Sequence, residues 1–89
     1  MGSKSYPPLT PTEVVSILEA LQFKLKKQTG SHAHYELDAA LDSQGIRRVV
    51  TVDMSVAEFW VDLMQSMIRQ SGVDRKKFYG ATKKTKRKI

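Results

Sequence analysis

The stretch FKLKKQTGSHAHYEL, residues 23–37, decides how the chain is read. Both of its halves alternate around Thr29-Gly30. In the first half Phe23 and Leu25 fall on one side, with Lys24, Lys26 and Gln28 on the other. In the second, Ala33, Tyr35 and Leu37 oppose His32, His34 and Glu36. A period of two on either side of a glycine turn predicts an antiparallel hairpin with one apolar and one polar face. The β-branched run RRVVTVD, residues 47–53, reads as a third strand with Val50 and Val52 inward, and DAALDSQGI (38–46) as the loop before it.

Helices flank this sheet. In LTPTEVV, Thr10 is placed as N-cap, Pro11 as the first helical residue and Glu13 as the third, a capping box stapled by Leu9 and Val14. Val14, Ile17, Leu18 and Leu21 follow at helical spacing, and the helix should stop near Gln22. A second box, Ser55 with Glu58, predicts a helix over 56–71 ending at Gly72, with Asp74 capping one more turn. The expected fold is α+β in the order α-β-β-β-α, with both helices on one face of a three-stranded antiparallel sheet. The open face would carry Lys24, Lys26, His32, His34, Glu36 and Arg47.

Composition sets the bounds. Eighty-nine residues make one domain with a single small core. The absence of cysteine excludes disulfides and thiolate metal sites. No apolar run is long enough to cross a bilayer and MGSKSYPPL lacks a signal-peptide core, so a cytoplasmic protein is expected. The net charge of +6 is concentrated. Lys83, Lys84, Lys86, Arg87 and Lys88 leave residues 1–80 with ten basic and nine acidic side chains. Residues 1–8 read as an extended lead-in and 80–89 as a disordered basic tail that attracts polyanions.

The only two histidines, His32 and His34, share the polar strand face. Two histidines supply half of a zinc site, and no further His or Cys completes it, so no metal and no cofactor are expected. A Ser-His-Asp arrangement also lacks its nucleophile turn. RNA cleavage needs less, because the substrate's own 2′-hydroxyl is the nucleophile. An imidazole can serve as acid or base and cations can steady the phosphorane. The bland alternative is a solvated polar face.

The stretches LTPTEVVSILEALQFKLKKQTGSHAHYEL (9–37), VVTV (49–52) and SMIRQSGVDRKKF (66–78) resemble the HicA-family mRNA interferase toxins. The likeness spans residues 9–79. It implies a fold like the double-stranded-RNA-binding domain, an endoribonuclease of a toxin–antitoxin pair, RNA as substrate and a cognate antitoxin as partner. The family's catalytic histidine falls on His32, within Gly30-Ser31-His32, and His34 is a possible second acid or base. Lys24, Lys26, Lys27 and Arg47 are candidate phosphate contacts read from this sequence itself. Ala33 stands where many members carry a second histidine, Gln22 stands where they carry glycine, and VAEFWVD replaces their lysines in the last helix. A positive φ at Gln22 would therefore be costly. An RNA-binding module that does not cleave is the first alternative.

The last helix raises a second alternative, a protein-interaction domain. Projected at about 100° per residue, its apolar positions cover an arc of roughly 200°, wider than one-sided packing needs. Trp60, Val61, Met64 and Ile68 are the expected partner surface.

Overall fold

The computed structural model describes residues 8–82. The lead-in before Pro8 and the lysine-rich end from Lys83 lie outside the described residues. The elements run α1 (Pro11–Ala20), β1 (Lys24–Thr29), β2 (His32–Leu37), β3 (Arg48–Asp53), α2 (Val61–Ser71) and the short α3 (Arg75–Tyr79). A single 3₁₀ turn, Ala39–Leu41, interrupts the loop before β3. The three strands form one antiparallel sheet in the order β1-β2-β3.

One core joins the helices with β2 and β3, while every residue of β1 is exposed. Val14, Ile17 and Leu18 of α1, Ala33, Tyr35 and Leu37 of β2, and Val50 and Val52 of β3 are buried together. Met64, Met67 and Ile68 of α2, Phe78 and Tyr79 of α3, and Leu9, Phe23 and Phe59 between elements complete it. The inward strand residues are those the alternation assigned, and the helices cover that one face. Among the described residues no helix is long and apolar enough to cross a membrane.

The first capping box forms as expected. Glu13 N–H donates to Thr10 Oγ1 at 3.2 Å, and Thr10 N–H donates to Glu13 Oε1 at 2.9 Å. At the other end Phe23 N–H reaches the Leu18 carbonyl and Gln22 N–H the Glu19 carbonyl, the two bonds of a Schellman motif. That motif requires a left-handed residue, and Gln22 takes it with φ 77. Phe23 and Leu18 are both buried in the same core, as the apolar positions of this motif commonly are.

The second capping box does not form, and α2 begins five residues later than expected, at Val61. Two competing sets of bonds explain this. Asp53 Oδ1 captures both the Ser55 N–H, at 3.0 Å, and its hydroxyl, at 2.6 Å, so Ser55 is spent on the turn leaving β3. Phe59 exchanges both main-chain bonds with Leu9, N–H to carbonyl at 2.7 and 3.2 Å, and stays extended. Trp60 then becomes an N-cap without a side-chain bond. The broad apolar arc disappears with the lost turn. Met64 and Ile68, expected on a partner surface, are core residues at 1% and 9% exposure, whereas Trp60, Val61 and Leu63 stay exposed.

β1 also departs from simple alternation. A bulge lies between Leu25 and Lys27, with Leu25 opposite Tyr35 and Lys27 opposite His34. The extra residue shifts every later side chain to the other face. Lys27 and Thr29, rather than Gln28, therefore share the face of the histidines. Leu25 keeps the inward phase but is 49% exposed, like the rest of the edge strand β1.

The loop between β2 and β3 is held by Asp42, whose side chain is only 3% exposed. Its Oδ2 accepts from Gln44 N–H at 2.9 Å and Ile46 N–H at 3.1 Å, and its Oδ1 accepts from Arg48 Nε at 2.9 Å. The Arg48 bond foremost, with the two loop amides, holds the Asp42 carboxyl below the usual range against the opposing cost of desolvation. Arg48 lies over Gly72, where α2 ends in the left-handed region at φ 78. A Cβ there would sit 2.7 Å from Arg48 Nε.

Candidate active site on the open sheet face

Register places the polar residues of the open face in three rungs. Thr29, His32 and Asp53 form the first; Lys27, His34 and Thr51 the second; Lys24, Glu36 and Val49 the third. Residues two apart on a strand share a face, so successive rungs are about 7 Å apart.

The first rung follows from the tight turn at Gly30, which adopts φ 58. It brings Ser31 and His32 to the end of β2 opposite Asp53. His32 Nε2 lies 3.9 Å from Asp53 Oδ2, with the imidazole 57% and the carboxylate 34% exposed. Asp53 is the better anchored of the two. Its carboxyl is held below the usual range, first by the Ser55 hydroxyl and N–H, then by a hydrogen bond from the Ser31 side chain and by the charge of His32; desolvation opposes them. The result is a fixed anion beside an exposed imidazole.

In the second rung His34 is half-buried, and its Nδ1 lies 3.0 Å from Thr51 Oγ1. Lys27 stands opposite His34 across β1. It is the one phosphate-contact candidate placed beside the histidines.

The remaining cations gather elsewhere. Lys24, Lys26 and Arg47, with Gln22, Glu36, Asp38 and Leu41, line a depression of about 300 Å³ at the far end of the sheet. Arg47 Nη1 is 3.8 Å from Glu36 Oε1. The six-residue separation of Arg47 and Asp53 corresponds to about 20 Å of strand. One chain therefore does not bring Arg47 to His32, and the expected single basic platform is divided in two. Among the described residues no group of three or more His, Asp or Glu side chains is arranged to hold a metal ion.

Asp53 is the functional candidate that sequence reasoning missed. The signal was available in principle, since antiparallel pairing of Ala33 with Val52 fixes His32 opposite Asp53. No family model, curated protein or solved structure matches the chain.

Proposed function

We propose that this protein is a small RNA-binding endoribonuclease, a toxin of a toxin–antitoxin pair, with His32 as its general acid or base. The observation that carries the reading is the His32–Asp53 pair on an open sheet face, with Lys27 and His34 on the next rung. Cleavage would proceed by attack of the substrate's 2′-oxygen on the adjacent phosphorus. The P–O bond to the 5′-oxygen breaks, leaving a 2′,3′-cyclic phosphate and a 5′-hydroxyl. One proton leaves the 2′-hydroxyl and one is delivered to the departing 5′-oxygen. His32 performs one of these transfers, and His34 is the second candidate. Lys27 offsets charge on the phosphorane. No step calls for a metal ion. Cytoplasmic location, RNA as the substrate and an antitoxin as the natural inhibitor belong to the same proposal. The deciding test incubates purified protein with a long single-stranded RNA in EDTA. Discrete products ending in cyclic phosphate, absent with His32→Ala, are expected; intact RNA at enzyme excess would reject the reading.

Exposure of Trp60, at 63%, beside Val61 and Leu63 favours a second reading in which the domain acts by binding another protein. Growth arrest on expression, relieved by His32→Ala, separates the two.

A further inference from the structure

The two edges of the sheet are built differently. β1 is bulged and carries Lys24, Lys26 and Lys27, features that discourage pairing with another strand. β3 has neither proline nor bulge and pairs with β2 in unbroken register over six residues. Met54 N–H bonds the Ser31 carbonyl, so Val52, Val50 and Arg48 also direct their main-chain groups toward β2. Val49, Thr51 and Asp53 direct theirs to the free side. Among the described residues, no other segment hydrogen-bonds the backbone of these three.

We propose that β3 of a second copy fills this edge, antiparallel about a two-fold axis at Val50, merging two sheets into one of six strands. The sequence of the edge argues for this occupant and this register. Val49 meets Thr51 of the partner subunit, and Arg47 meets Asp53 of the partner subunit, twice by symmetry. Val49, Thr51 and Asp53 face outward with His32 and His34, and Arg47, one residue before the strand, reaches the same face where it lies 3.8 Å from Glu36. Opposite charges directly across a pair stabilise it, whereas a slip of two residues sets Val49 against Asp53. Below the sheet, α2 is the helix packed most closely on β3, with α1 beside it. At about 100° per residue, Val61 and Leu63 flank its buried face on opposite sides, and both are exposed. Whichever flank adjoins the free edge brings apolar surface to the seam.

The dimer also resolves the divided basic face. Arg47 is remote from His32 within one chain, but Arg47 of the partner subunit stands beside Asp53 and hence near His32. Only this consequence rests on the proposed nuclease activity.

Sedimentation velocity of the full chain at about 100 µM, without RNA, tests the assembly. A species of twice the 10.1 kDa chain mass is expected. Thr51→Pro removes a free-edge N–H while leaving the main-chain bonds to β2, though it also removes the Thr51 hydroxyl from His34, and should give monomer. Arg47→Glu, outside the strand, should raise the dimer dissociation constant at least tenfold with an unchanged circular dichroism spectrum; it decides alone if Thr51→Pro does not fold. The chain has no cysteine, so Val49→Cys and Thr51→Cys proteins can be mixed with a short bismaleimide. Links between the two variants should exceed links of Thr51→Cys to itself. A monomeric wild type, a dimer indifferent to Arg47→Glu, or dominant Thr51→Cys self-links would each overturn the proposal. None of these readouts depends on cleavage.

Discussion

Asp53 stands directly across the sheet from His32, with 3.9 Å between its Oδ2 and the imidazole Nε2. The carboxylate is held foremost by Ser55, with His32 a smaller influence, so it provides fixed negative charge next to an exposed imidazole. His32→Ala should lower cleavage by about 10²-fold or more, and His34→Ala clearly less. Asp53→Asn should fall between wild type and His32→Ala, because it removes the charge but keeps the shape. Single-turnover cleavage of one RNA by the three variants checks the order. Equal losses for the two histidines would instead identify a paired acid and base.

Gln22 bears a left-handed conformation that glycine adopts without penalty. Gln22→Gly should stabilise the domain by about 1 kcal/mol, or roughly 4–8 °C in Tm at this size. Gln22 is exposed, so no packing is lost in exchange. Gly72→Ala should do the reverse, since its Cβ meets the Arg48 guanidinium. Thermal melts of both variants test the pair, and a lower Tm for Gln22→Gly would contradict the strain argument.

Acid should destabilise the fold partly through Asp42. Its folded-state carboxyl is held below the ordinary value, so its contribution is fully present above the unfolded value of about 3.9 and is lost as pH falls through the folded one. Asp42→Asn should therefore be less stable than wild type at pH 7, with the gap closing below about pH 4. Urea titrations at pH 7, 4 and 2.5 measure it. A gap constant across that range would show that Asp42 acts through shape alone.

On the proposed function, the charges at the chain end serve RNA binding. Deleting residues 83–89 removes five positive charges and should reduce the log–log salt slope for single-stranded RNA by up to about 3.5. Cleavage of saturating RNA should survive, because the reacting groups are held on strands. A salt titration of binding with single-turnover cleavage distinguishes these effects. Loss of cleavage with unchanged affinity would put those residues in the active site.

Local chemistry made much of this legible in advance. Alternation assigned Ala33, Tyr35, Leu37, Val50 and Val52 to the core, because a strand leaves no other choice of face. The Thr10–Glu13 box and the caps at Gly72 and Asp74 involve bonds among neighbours only, so the chain itself specifies them. Three features depended on partners distant in sequence. Leu9 claimed the main chain of Phe59, and Asp53 claimed Ser55, which together erased the first turn of the expected helix. A bulge whose position is fixed against β2 turned Lys27, not Gln28, toward the histidines. Pairing across the sheet set His32 against Asp53 and carried Arg47 to the far end. The sequence by itself determined which residues are apolar, which can cap and which can carry a proton. Which of them meet was decided only by the tertiary structure, because register and competition for hydrogen bonds are settled between segments, not within them.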